Sequence, residues 1–433
     1  MVTAIALFAA SARADDAAPP WGDPGDVPVP AWARSVAATK ADAALYAEPG
    51  KVEERRGSVA LGARLPFFGT RRAASCTGRW MNVGPLAWIC SDVAEWSGDD
   101  PSASQLGTSP WPALQPSRAG TRGLPPIEPA SKTDDGLPYR YYFAGEGGAY
   151  GFANLANALD DAPDQDLDKG FAVAAVEEKT AHGEQWIRSK KGRWIATREL
   201  VPARSFLFHG ELVTDKLDLA WVVADKANVY SDASAARANG TRVRFEHVRV
   251  GEVNEKTGMA RIFDELHGGW MRTRDLAMTR LAPPPSEAAD GERWIDVDLA
   301  QQTLVAYVGA KPVFATIVST GRGPKGTDAA TPPGTHRIWV KIFTSKMDNL
   351  DKDDVEHHYA IEDVPWVQFF DKAVALHGAF WHRDFGHVHS HGCVNLAPLD
   401  ARWLFAFTAP MLPRGWTASF PTKVEPGTLV RVR

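Results

Sequence analysis

The densest chemistry of the chain lies in one stretch: His377-Gly378-Ala379-Phe380-Trp381-His382-Arg383-Asp384-Phe385-Gly386-His387-Val388-His389-Ser390-His391-Gly392-Cys393-Val394-Asn395-Leu396. Five histidines precede Cys393 in it. A thiol with an imidazole beside it is the minimal equipment for nucleophilic acyl transfer. A helix is expected to begin near Pro398, a residue suited to a first helical turn. Cys393 would then lie just ahead of that helix, where unpaired N–H groups and the dipole favour a thiolate. Gly392 lets the backbone approach a bound carbonyl, so the N–H groups of Gly392 and Cys393 could form an oxyanion hole. Two other readings stay open at this level. Cys393 could be a plain buried thiol, or His377, His387, His389 and Cys393 could hold zinc. His382, His387 and His389 read as groove or surface residues. Asp348, Asp351, Asp353 and Asp354 read as a solvated lid loop.

The elements that must position this stretch are mostly strands. Arg293 to Asp298, Thr303 to Val308 and Thr335 to Val340 alternate with period two. Val313 to Thr320 is β-rich, and Thr428 to Val432 closes the chain as a strand. Leu399, Trp403 and Phe407 recur at i, i+4 and i+8 and predict one helix face. The expectation is a mainly β fold with one or two helices over 292–433.

Ser390-His391-Gly392-Cys393-Val394-Asn395, with His377-Gly378 sixteen residues before the cysteine, resembles the signature of the L,D-transpeptidases of the YkuD family. Ile295-Asp296-Val297-Asp298 with Leu304 and Tyr307 resembles the family's opening hairpin. Ser319-Thr320-Gly321 and Thr331-Pro332-Pro333-Gly334-Thr335 resemble its turns, and Val364-Pro365-Trp366 its substrate-side element. Asn395 stands where many members carry arginine. The resemblance implies a β-sandwich with the cysteine in a groove under a lid. It implies Cys393 as nucleophile and His377 as base, with His391 orienting the site. Ser390, Gly392 and Gly378 would support the loop and oxyanion, with Tyr359 as a lid tyrosine near the oxyanion. Trp366 and Asn395 would line the substrate groove. It implies no cofactor and no metal, peptidoglycan stem peptides as substrate, and carbapenems as inhibitors. The reaction would join stems by 3→3 cross-links. Hydrolysis by the same site (L,D-carboxypeptidase activity), attachment of a protein to the wall, and a non-catalytic wall-binding role are the rivals.

The remaining 291 residues look like accessories. An apolar run over 1–10 followed by Ala12-Arg13-Ala14 reads as a signal peptide (1–14), which implies export to the periplasm or cell wall. Pro-, Gly- and Asp-rich stretches at 15–30, 101–137 and 283–291 read as linkers. They separate modules at 31–100, 138–205 and 206–282 from a catalytic domain at 292–433. Trp88, Trp194 and Trp270 each follow a glycine and precede an acid-plus-aliphatic pair, a faint repeat that resembles small SH3-like β-barrels. Asp160, Asp161, Asp164, Asp166 and Asp168 lack the glycine and terminal glutamate of a calcium loop and read as solvated. Cys76 and Cys90 are close enough to form a local disulfide in an exported protein, leaving Cys393 free; three unpaired thiols are the other reading. The net charge of −5 provides no basic field for nucleic acid, and no stretch is apolar enough to span a bilayer. On this reading a chain beginning near Asp290 would fold and react alone.

Overall fold

The computed structural model describes residues 29–102, 124–125, 134–181, 183–204, 206–263, 268–348 and 360–433. The signal-peptide reading, Tyr359, and Asp351, Asp353 and Asp354 lie outside them. The described chain is mainly β, with helices at Leu155–Leu159 and Pro398–Phe407. No helix among the described residues is long and apolar enough to cross a membrane.

The chain divides into two compact units, residues 1–105 with 414–416, and residues 106–413 with 417–433. In the first, Ser35–Ala38 pairs with Arg64–Leu65 and with Ala94–Ser97. Trp80–Gly84 and Ala87–Cys90 form a hairpin beside Gly69–Arg71. A disulfide joins Cys76 to Cys90, whose Cα atoms are 5.7 Å apart, over the buried Trp80.

The second unit contains a β-sandwich. One sheet carries Arg293–Asp298, Thr303–Val308, Lys311–Ile317, Leu429–Val432 and Gly334–Arg337. The other carries Val340–Asp348, Ala360–Asp371, Val374–Gly378 and Val394–Leu396. Ile295, Val297 and Phe314 of the first sheet meet Phe343, Phe370, Leu376 and Val394 of the second in one core. The alternation seen in the sequence is thus the inward face of each strand. The helix Pro398–Phe407 is buried on every side except at Arg402, which forms a bidentate pair with Asp134 (2.6 and 2.8 Å). Its expected apolar stripe is therefore wider than one face.

The segment 206–282 forms a seven-stranded antiparallel sheet that runs open from Ala238–Val243 to Leu276–Met278 and closes no barrel. The Trp-containing repeat has a structural counterpart. Trp194–Ala196 and Gly268–Arg272 each run into a 3-10 turn, at Thr197–Glu199 and Thr273–Asp275, and then into a short strand.

The segment 292–433 packs against the segments that precede it. Glu211–Leu212 adds an edge strand to the first sheet, opposite Ala315 and Phe314. Ala172 pairs in parallel with Ile361 of the second sheet. The Trp366 indole N–H donates to the Gly136 carbonyl (2.8 Å), and the Gly210 N–H donates to the buried Asp400 carboxylate (2.8 Å). Val213, Leu219 and Trp221 share a core with Trp294, Tyr307 and Phe385. Linker-like composition at 283–291 marks an exposed connection between strongly packed parts.

Candidate active site

Parallel pairing of Val374–Gly378 with Val394–Leu396 sets His377 opposite Asn395. Leu376 and Val394 turn into the core, so alternation sends His377 and Asn395 to the other face, with Cys393 two residues before Asn395 on that same side. There they line a groove of about 670 Å³ together with Trp381, His389 and His391. Cys393 is a free, half-buried thiol, and its Sγ lies 3.9 Å from the Ala373 carbonyl.

The loop carrying the cysteine is tied down atom by atom. The Ser390 hydroxyl donates to the Cys393 carbonyl (2.5 Å) and accepts the Gly392 N–H (3.1 Å). The Thr331 hydroxyl donates to the Gly392 carbonyl (2.7 Å) and accepts the Gly321 N–H (2.8 Å). The Arg322 N–H donates to the Ser390 carbonyl (3.0 Å). Gly392 has φ +122°, a region closed to other residues, and a Cβ there would meet the Asp328 carbonyl at 3.0 Å. The two turns picked out in the sequence are thus the clamps of this loop. Gly378 serves packing: a Cβ on it would press on Pro365 Cγ at 3.1 Å.

His377 is buried, and its Nδ1 lies 3.1 Å from the Gly378 carbonyl. Donation from Nδ1–H leaves Nε2 as the free, basic nitrogen. Its ring stacks on Trp381, with centroids 5.7 Å apart. Burial pushes its pKa down to about 4, so the imidazole is neutral at neutral pH. Burial likewise pushes the Cys393 thiol up. This corrects the thiolate expectation. The strand Val394–Leu396 separates Cys393 from the helix at Pro398, and a helix dipole acts only near its first turn. The resting pair is a thiol and a neutral base.

Arg322 Nη2 lies 2.7 Å from His391 Nε2, which must accept, so His391 is neutral with its proton on Nδ1. His391 is exposed at the rim, where it can orient but is held by Arg322 away from a base's role. The Asn395 amide lies 2.8 Å from His382 Nε2, and the Asp384 N–H donates to His382 Nδ1 (3.1 Å). Burial first, then His389, His377 and Arg244, push the His382 pKa down to about 3.

Other expectations fare differently. Trp366 does not line the groove; it lies fully buried in the sandwich core against Phe343 and Phe405, because its strand turns it inward at φ +63°. The Gly392 N–H is taken by Ser390, which leaves the Cys393 N–H as the remaining donor of the expected oxyanion pair. His387 is drawn to the Val223 carbonyl (3.1 Å). Among the described residues, the groups close enough to share a metal ion are His382, Asp384 and His389, and Cys76, Cys90 and Asp92, two of which are spent in the disulfide. His377 and Cys393 belong to neither. The sequence reading missed Arg322, Thr331 as a clamp of Gly392, and Trp381 as the stacking partner. Their adjacency to the matched turns and to His377 was the available signal.

Residues 292–432 match the family model described as YkuD, L,D-transpeptidase catalytic domain. No curated protein matches the chain. Among solved structures, it is similar to an L,D-transpeptidase mutant of Enterococcus faecium (23% identity, 33% of this chain and 50% of that one, TM-score 0.24). It is also similar to an L,D-transpeptidase from Stackebrandtia nassauensis (27%, 34% and 58%, TM-score 0.23). A third is the catalytic domain of the Enterococcus faecium enzyme acylated by ertapenem (24%, 34% and 100%, TM-score 0.25). The chain thus spans 50% and 58% of the length of the first two.

Proposed function

We propose that the protein is an exported peptidoglycan L,D-transpeptidase that forms 3→3 cross-links through a thioester on Cys393. What carries the reading is a free thiol in a groove, one strand from a buried imidazole whose Nε2 is unprotonated, inside the segment that matches the L,D-transpeptidase catalytic domain. Cys393 Sγ attacks the carbonyl between residues three and four of a stem tetrapeptide. The S–C bond forms while the thiol proton passes to His377 Nε2. The C–N bond then breaks, and the proton leaves with the amine of D-alanine. A side-chain amine of a second stem attacks the thioester, gives its proton to His377, and restores the thiol as the amide forms. Charge on the carbonyl oxygen is stabilised by the Cys393 N–H. The neutral resting pair suits this sequence, since a neutral base is ready without first losing a proton.

We propose also that the segments 31–100, 138–205 and 206–282 engage the wall. The disulfide Cys76–Cys90 suits an oxidising compartment. Incubation of the full chain with stem tetrapeptide, followed by mass spectrometry, tests the reading. A 3→3 dimer with released D-alanine is expected. Tripeptide and D-alanine alone would replace it with an L,D-carboxypeptidase, and unchanged tetrapeptide would leave only a binding role.

A further inference from the structure

A second cavity, of about 130 Å³, adjoins the groove and shares Lys346 and Ile361 with it as a wall. Its other walls come from Gln165, Asp166 and Phe171 of the preceding segment and from Glu362. Glu362 is only 5% exposed. One of its carboxylate oxygens, Oε1, is paired with Lys191 at 2.7 Å, while Oε2 is buried without a hydrogen-bond partner among the described residues. Such an acceptor is costly to leave unmet. Burial also raises the Glu362 pKa, and a donor arriving at Oε2 would offset that. The two lysines at the cavity are already neutralised, Lys191 by Glu362 and Lys346 by Asp348 (2.6 Å). Asp166, exposed at the mouth, has no ion pair among the described residues. With the Glu362–Lys191 and Asp348–Lys346 pairs formed, the cavity keeps one unmet acceptor atom, Glu362 Oε2, and one unpaired negative charge, Asp166, and the chemistry it lacks is a cationic donor.

The wall is firmly built. Ala172 pairs with Ile361, the Tyr141 hydroxyl donates to the Asp363 carbonyl (2.6 Å), and Lys190 donates to the Asp363 carboxylate (2.5 Å). Asp363 is held at φ +54° by these contacts. The segment 138–205 thus completes a site that the sandwich alone would leave open on one side.

We propose that this cavity extends the substrate groove and binds a primary ammonium group of the peptide lying there, with Glu362 Oε2 as acceptor and Asp166 at the mouth. The choice of a peptide rests on the L,D-transpeptidase reading; the preference for an ammonium group does not. The test titrates a diaminopimelate-bearing stem tetrapeptide, and the same peptide with its amines acetylated, into the full-length Cys393→Ser variant by calorimetry. Glu362→Gln is expected to weaken binding of the free-amine peptide about tenfold, and Asp166→Asn several-fold, while the acetylated peptide binds weakly and equally to all three proteins. Unchanged affinity in both variants, equal losses for both peptides, or no tetrapeptide binding at all would overturn the proposal. Asp166 is exposed, so its variant reads the site even where Glu362→Gln disturbs folding. A wild type that no carbapenem acylates would fail the acyl-transfer reading and leave the calorimetric result standing.

Discussion

The protonation state of His377 can be read from the acid limb of the acylation rate. Burial holds its pKa at about 4 instead of the ordinary 6.5. A base with the lowered value is still about 90% neutral at pH 5, whereas an ordinary histidine would be only about 3% neutral there. The acylation rate at pH 5 should therefore stay within about twofold of that at pH 7, against a drop of about 25-fold for an unperturbed base. The limb reports the first proton lost by the thiol–imidazole pair, so it does not depend on which partner holds the shared proton. The assay is stopped-flow acylation by a carbapenem from pH 3.5 to 8, corrected for decay of the reagent. Stability must be followed alongside it. The unfolded chain protonates His377 below 6.5 while the folded chain does not until about 4, so folding weakens as pH falls through that window, by about 3 kcal/mol for this residue. Burial raises the Asp400 pKa to about 7 and runs the other way, since the folded form holds a proton there that the unfolded form has lost. Circular dichroism at each pH separates unfolding from chemistry. An acid limb centred near 6.5 in folded protein would refute the buried-base argument.

Three further outcomes follow from the packing. A chain starting at Asp290 loses the Ala172 pairing, the edge strand Glu211–Leu212 and the Gly210 donor to Asp400; its acylation rate should fall more than tenfold, and retention within tenfold would show that the accessory segments are dispensable. Lys341 is fully buried, donates to the Phe405 and Thr408 carbonyls, and has its pKa pushed down to about 7 by burial. Between pH 7 and 10.5 only the unfolded chain keeps that proton, so wild-type stability should rise with pH by at most about 5 kcal/mol. Lys341→Met should lose this rise, and urea midpoints at pH 7, 8.5 and 10 that keep a constant offset from wild type would contradict it.

The strands of the sandwich, the helix after Pro398 and the loop around Cys393 were legible because each rests on local pattern or on residue types that only one geometry tolerates. Gly392 at φ +122° and the clamps from Thr331 and Ser390 are of that kind. What escaped depends on contacts distant in sequence. Trp366 follows a proline in a segment that resembles a groove element, yet a positive φ turns it into the core. Pairing between Ala172 and Ile361 is set by partners 189 residues apart and leaves no trace in the proline-rich composition at 283–291. The raised thiol has the same origin: helix position was visible, burial was not.

The central claim is that Cys393 is the acylated nucleophile. Full-length protein incubated with a carbapenem and weighed intact should gain one acyl adduct, and peptide mapping should place it on Cys393, with none on the Cys393→Ser variant. An adduct elsewhere, or an adduct and transpeptidation that survive Cys393→Ser, would contradict the account.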